Sequence, residues 1–272
     1  MSQENLNLLD DNFEIERMNL AERVQHIVLM VSFIILIITG FPLLFFEWKF
    51  WQVLFGSPIS FYIRGLLHRI SAVMLIGLSI FHIFYVIFSK DGKEFFRAMI
   101  PKWKDFRDAF ETFMHYFGFT RYLKSRGILT KFFEKNPYWL FNELPKYDRY
   151  DFRQKFEYWA VVWGSFVMIL TGLAMWFVEF TISIFPLWVY DVCRIIHSYE
   201  AILAFLAIII WHMYNVHLNP EAFPMSKIWL TGKITVRELR ERHPLEYERF
   251  IEKLKKEGIS DGRNSKGNNP EN

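Results

Sequence analysis

Four long apolar segments, at about residues 24–46, 66–88, 158–178 and 195–216, constrain this chain more than any other feature. Each comes close to the roughly 20 residues that a helix needs to cross a bilayer. Lipid leaves unpaired backbone groups unsatisfied, so helices are the expected form of these segments. Thirty Phe and ten Trp are too many for an ordinary soluble domain. Trp48, Trp51, Trp176 and Trp188 flank the segments, as aromatic belt residues do at a membrane interface. The first segment follows a polar lead and is expected to be a retained helix rather than a cleaved leader.

Charge sets the expected topology. Of the 32 Lys and Arg residues, 28 fall in residues 1–23, 89–156 and 218–272. The opposite side would hold only Lys49, Arg64, Arg69 and Arg194. By the positive-inside rule both termini are expected in the cytoplasm of a bacterial or archaeal cell, with the chain in its inner membrane. Basic residues beside membrane helices report topology or anionic lipid, so no nucleic acid is expected as a partner. The organisation expected is a cytoplasmic lead (1–23), helices one and two (24–88), a cytoplasmic connector (89–156), helices three and four (157–217) and a cytoplasmic tail (218–272). The aromatic-rich connector suggests amphipathic helices lying on the membrane or against a partner. Residues 235–257 read as a charged soluble helix, and the last fifteen as disordered.

Histidines stand out inside the apolar segments. His68 and His82 lie 14 apart in the second, and His197 and His212 lie 15 apart in the fourth. At about 100° and 1.5 Å per residue, each pair lies on roughly one helix face, about 21 Å apart. An ionisable side chain at membrane depth points to function. Two such helices side by side offer stacked His–His pairs, each able to grip a planar metal cofactor, and haem is the natural candidate. Small residues (Ser71, Ala72, Ser79, Ala201, Ala204) lie near these faces, and Arg64, Arg69 and Arg194 could meet propionates at the outer end.

By depth, the outer side offers a single pair, His68 with His197. The inner side is crowded: His26 (beside Arg23), His82, His212 and His217 all compete. His115 and His243 lie in polar segments and are expected to be solvated surface residues. A single cysteine, Cys193, excludes an intramolecular disulfide, a c-type haem attachment and a cysteine-ligated iron–sulfur cluster. A faint repeat relates Leu36-Ile37-Ile38-Thr39-Gly40-Phe41 to Met168-Ile169-Leu170-Thr171-Gly172-Leu173, as if helices one–two and three–four were parallel halves. His26 then falls opposite Tyr158.

Three stretches carry a family resemblance. Glu22-Arg23-Val24-Gln25-His26 through Thr39-Gly40-Phe41-Pro42, then Arg64-Gly65-x-x-His68-Arg69, then His197-x14-His212 on to His217-Leu218-Asn219-Pro220-Glu221 resemble the dihaem cytochrome b subunits of membrane formate dehydrogenases and nickel–iron hydrogenases. The resemblance covers residues 15–88 and 150–230. It implies ligands His26, His68, His197 and His212, paired 68–197 outside and 26–212 inside. His82 departs from that pattern. The 14/15 spacing also resembles cytochrome b of the bc and b6f complexes, which would pair His82 with His212. Six histidines would even serve a third haem through His26 and His217.

The fold expected is all-α, a membrane four-helix bundle binding b-type haems with cytoplasmic amphipathic helices. The expected function is electron transfer through two b haems, or three, between a redox partner and the quinone pool. The resemblance places quinone near the inner haem, where Glu157 and Tyr158 could line its site. No nucleotide fingerprint or catalytic triad is present, so the chain is expected to serve an iron–sulfur or multihaem subunit and a catalytic subunit that hold the dehydrogenase chemistry. The competing classes are a membrane metal-ion or proton transporter and a structural membrane anchor.

Overall fold

The computed structural model describes residues 11–220 and 222–264, without the side chains of 257–264. Glu221 and residues 265–272, about half of the tail expected to be disordered, lie outside it. In chain order the elements are β1 (Glu14–Glu16), α1 (Leu20–Leu44), α2 (Lys49–Phe55), α3 (Pro58–Phe88), α4 (Lys90–Met99), α5 (Trp103–Phe117), α6 (Phe119–Ser125) and α7 (Thr130–Lys135). They continue with a 3₁₀ turn (Pro137–Leu140), α8 (Phe152–Trp176), α9 (Val178–Ile184), α10 (Leu187–Leu206), α11 (Ile228–Thr231), β2 (Lys233–Thr235), α12 (Val236–Arg242) and α13 (Pro244–Asn264). The chain divides into two compact units. One comprises residues 17–97 and 157–232, the other the stretches before, between and after them.

The first unit holds the four long apolar helices α1, α3, α8 and α10, the last running to Leu218 with its wider continuation. All four are long and apolar enough to cross a membrane. Each starts 4 to 8 residues before the apolar segment it contains, and polar side chains cap the first three at that extended start. Asn19 accepts from the Glu22 N–H at 2.9 Å while the Glu22 carboxylate accepts from the Asn19 N–H at 3.2 Å, a reciprocal cap for α1. Ser57 accepts from the Ser60 N–H at 3.1 Å at the start of α3, where Pro58 has no N–H to lose.

Burial in this unit is inverted relative to a soluble bundle. Gln25, Ser32, Thr39, Arg64, Ser71 and Thr171 are buried, while Ile34, Ile38, Ile70, Val73, Phe84, Phe166 and Leu203 face outward. That is the pattern lipid demands. Apolar contact between helices gains little over contact with lipid, so close packing of small residues and interhelical hydrogen bonds hold the bundle. Ser32 and Ser71, both essentially inaccessible, mark the close α1–α3 packing. Arg64 donates to the Thr39 carbonyl at 2.6 Å. Tyr85 donates to Glu22 at 3.1 Å and accepts from Asn19 at 2.9 Å. Such bonds contribute about 0.6 kcal/mol each.

Beyond His197 the fourth helix widens. Ala207–His212 and Tyr214–Leu218 are π-wound. Fifteen residues in an ideal α-helix would leave His212 about 60° off the His197 face. The wide turns, common at functional sites, take up residues and alter that angle. Past Leu218 the chain folds back rather than leaving the unit. Gly232, in the left-handed conformation, accepts from the N–H groups of Arg17 at 2.8 Å and Met18 at 3.0 Å. Arg23 donates to the Leu230 carbonyl at 2.9 Å.

The second unit gathers three stretches far apart in sequence. β1 and β2 pair antiparallel, with Ile15 opposite Ile234. Thr235 and Glu238 cap α12 reciprocally. Phe133, Leu140, Phe141, Tyr147, Ile234, Val236 and Leu239 are buried, and Lys155 and Asp105 form a largely buried ion pair at 2.8 Å. The expected single helix over 235–257 is instead α12 and α13, separated at His243-Pro244, because proline disfavours helical backbone in the residue before it. α13 runs to Asn264, seven residues into the tail expected to be disordered. His243 is buried rather than solvated as expected, and His115 is half-buried. His115 Nδ1 meets the Phe141 carbonyl at 2.8 Å, and the buried His243 meets the Asp148 carbonyl at 2.8 Å. On α5 the residues Trp103, Phe106, Phe110, Phe113 and Phe117 form an exposed stripe at helical spacing, opposite buried Asp108 and Thr112.

Asp148 ties this unit to its last helix through Arg249. Burial alone would push the Asp148 carboxyl up. The Arg249 guanidinium, the Arg149 N–H and Lys102 outweigh burial and hold it below the ordinary carboxylate value. The stabilisation from a depressed carboxylate is therefore present above that ordinary value and is lost as pH falls through the folded one. Both side chains are more than a third exposed, so the contribution is under about 1 kcal/mol. Arg249→Ala is expected to move acid unfolding, followed by near-UV circular dichroism, to slightly higher pH.

Candidate haem-binding site

Two histidine pairs form in the membrane unit. The ring centres of His68 on α3 and His197 on α10 lie 6.5 Å apart, inclined at 59°. Those of His26 on α1 and His212 lie 6.4 Å apart, inclined at 41°. A metal–imidazole bond of about 2.0–2.1 Å, plus about 1.2 Å from nitrogen to ring centre, sets two opposed imidazole ligands about 6.4 Å apart. Both separations match that value.

Hydrogen bonds on the ring nitrogens fix the tautomers. Thr39 donates its hydroxyl to the Ile35 carbonyl at 2.6 Å, so toward His68 Nδ1, at 2.9 Å, it accepts. Thr171 repeats this arrangement, donating to Val167 at 2.7 Å and accepting from His197 Nδ1 at 2.9 Å. His212 Nδ1 meets the Glu157 carboxylate at 2.9 Å. In all three rings Nδ1 carries the proton and Nε2 keeps its lone pair for a metal.

The Thr-Gly dipeptides of the internal repeat do double service. A Cβ on Gly172 would lie 3.2 Å from Cε1 of His197, and one on Gly40 would lie 3.4 Å from Cε1 of His68. Each threonine orients the ring, and each glycine makes room for it. The repeat was visible in the sequence; its role was not, because it acts on a histidine of the neighbouring helix.

His82 is engaged elsewhere. Gln25 donates to the Ala21 carbonyl and presents its oxygen to His82 Nδ1 at 2.8 Å. His82 Nε2, left as acceptor, takes the Tyr158 hydroxyl at 3.0 Å. Both ring nitrogens are thus used, and Phe95 lies edge-on at 6.1 Å. The structure does not bring His82 to His212. Nor, among the described residues, does a ring contact join His217 to another histidine. His82→Ala is expected to leave the haem-to-protein ratio unchanged, measured as pyridine haemochromogen.

The cations divide in the same way. Arg69 lies over the Trp176 ring at 5.4 Å, and Arg194 is exposed beside Asp191 at 3.5 Å. Arg64, one turn before His68, is buried with Nε unpartnered. Arg23 Nε, His26 Nδ1 and Glu157 Oε1 are likewise buried without a hydrogen bond. Four orphaned polar atoms therefore sit on residues of, or beside, the two pairs, each costing roughly 1–3 kcal/mol if left unmet. Trp229, which sequence reasoning missed, packs 6.1 Å from His26. The donor set, the spacing and the two unpartnered guanidinium Nε atoms fit b-type haem.

The prokaryotic cytochrome b561 family matches residues 17–222. The chain belongs to that family. A cytochrome b561 of this kind is a membrane protein that binds b-type haem and transfers electrons. The matched residues include all five membrane-depth histidines, His26, His68, His82, His197 and His212. Comparison with curated proteins found no match.

Proposed function

We propose that this cytochrome b561 is the electron-transferring subunit of a larger membrane oxidoreductase, with one haem held by His68 and His197 and the other by His26 and His212. The observation that carries this reading is the pair of ring separations, 6.5 and 6.4 Å, inside a unit of four apolar helices. Bound b haem supplies reversible single-electron chemistry, with a potential set by its ligands and their surroundings. Arg64 and Arg23 would take propionates. The partners are an iron–sulfur or multihaem subunit and a catalytic subunit, since the chain's only cysteine is Cys193.

The quinone pool is the second partner. Glu157, which meets His212 at 2.9 Å, and the next residue on α8, Tyr158, support a site at that end. Glu157 Oε1 is a buried acceptor with no donor, suited to a quinol hydroxyl. Tyr158 holds an exchangeable proton on its hydroxyl, donated to His82 and continued to Gln25. The basic residues of 89–156 and 218–272 support a cytoplasmic position for that end and for both termini in a bacterial or archaeal inner membrane.

A bare-ion transporter is the weaker reading. Among the described residues no group of three or more His, Cys, Asp or Glu side chains could hold an ion. In nanodiscs the purified chain is expected to carry two b haems that dithionite reduces and an added quinone reoxidises. A haem-free protein overturns the reading; haems indifferent to quinone overturn its quinone part.

A further inference from the structure

The two pairs are alike in spacing but not in what surrounds their rings. At the 68–197 pair both Nδ1–H groups go to neutral threonine hydroxyls, each of which already gives its own proton to a helix carbonyl. The buried guanidinium of Arg64 lies one turn from His68 and donates to the carbonyl of Thr39, the residue that orients His68. At the 26–212 pair His212 Nδ1–H goes to a carboxylate oxygen of Glu157 at 2.9 Å. Arg23, the nearest cation in sequence, turns one guanidinium nitrogen to the Leu230 carbonyl.

A carboxylate acceptor draws the Nδ1 proton toward itself and makes the imidazole a stronger electron donor, which favours the oxidised metal. A neutral hydroxyl does so less. A buried cation acts the other way, favouring the reduced metal by adding positive charge nearby. Both differences have the same sign.

We propose that Glu157 is a positioning residue that lowers the potential of the 26–212 centre below that of the 68–197 centre, which Arg64 raises. The proposal rests on the two-haem reading above. It orders the two centres: the 68–197 centre is the better electron acceptor. A glutamine in place of Glu157 would keep an oxygen for the Nδ1–H bond and remove only the charge, so Glu157→Gln separates electrostatics from orientation.

The experiment is a potentiometric titration of the purified full chain in nanodiscs. Two one-electron waves are expected in the unmodified protein. His26→Ala should abolish the lower wave and His68→Ala the upper. Glu157→Gln should shift the lower wave upward by a tenfold or larger change in its redox equilibrium, about 59 mV for one electron. The upper wave should stay in place, and Glu157→Asp should restore much of the lower one. Loss of the upper wave in His26→Ala overturns the proposal. So does a Glu157→Gln protein with both haems bound and neither wave moved, or both moved equally. If Glu157→Gln fails to hold its haem, the assignment of the two waves by His26→Ala and His68→Ala decides. An unmodified protein without haem overturns the functional reading instead.

Discussion

His68→Ala and His197→Ala are each expected to remove the same one of two b haems, and His26→Ala and His212→Ala the other. The reason is geometric. Each pair has ring centres 6.4–6.5 Å apart, the separation of two imidazoles sharing one metal, and truncation leaves one side of that metal unligated. The alternative, that these histidines only pack between helices, makes a different forecast. A membrane packing contact averages about 0.6 kcal/mol and reaches about 1.7, so its loss would loosen the bundle slightly and leave haem content alone. The expected result is a haem-to-protein ratio halved in all four variants, with the same haem lost within each pair. A variant set in which His68 and His197 remove different haems would break the pairing.

Leucine at Gly172 or Gly40 is expected to empty the 68–197 site and spare the 26–212 site. Even a methyl at Gly172 would sit 3.2 Å from the His197 ring, closer than ordinary contact, while one at Gly40 would sit 3.4 Å from the His68 ring. Leucine adds three further carbons in that direction. Overpacking of this kind costs typically about 1–3 kcal/mol. The ring is the movable neighbour, and turning it breaks both the threonine bond and the alignment of Nε2. Alanine should grade the effect, with Gly172→Ala losing more haem than Gly40→Ala. The measurement is the pyridine haemochromogen ratio together with the reduced α-band. An unchanged ratio in both leucine variants would contradict the role given to these glycines.

Much of the membrane unit was legible because lipid imposes simple rules. Apolar length gave the four candidate spans, and histidine at membrane depth pointed to the candidate site. The 68–197 pair followed from depth alone, as no other histidine competes at that level. At the other end depth was not enough. His26 and His82 share a level, and only side-chain direction separates them: Gln25 and Tyr158 occupy both nitrogens of His82. Tyr158 stands where the repeat would place a second copy of His26, and it serves His82 instead. Arg64, Arg69 and Arg194 all looked like propionate partners at the outer end, yet the residue next to His68 in a helix points about 100° away, and Arg69 turns to Trp176. Arg64, four residues off, shares the histidine's face.

The second unit was the least legible part. Its β1–β2 pair joins Ile15 to Ile234 across more than two hundred residues, and no periodicity within a segment signals such a pairing. His243 looked like a surface residue because its neighbours are charged, but its position at the end of α12 turns the ring inward to the Asp148 carbonyl. The amphipathic pattern of α5 was visible, with Trp103, Phe106, Phe110 and Phe113 on one face.

The most direct test of the central claim is near-infrared magnetic circular dichroism on the oxidised, purified chain, with haem and protein quantified in the same sample. The expected result is two haems per chain, both low-spin with two imidazole ligands. One haem per chain, or a high-spin or non-imidazole signature in the unmodified protein, would contradict the account.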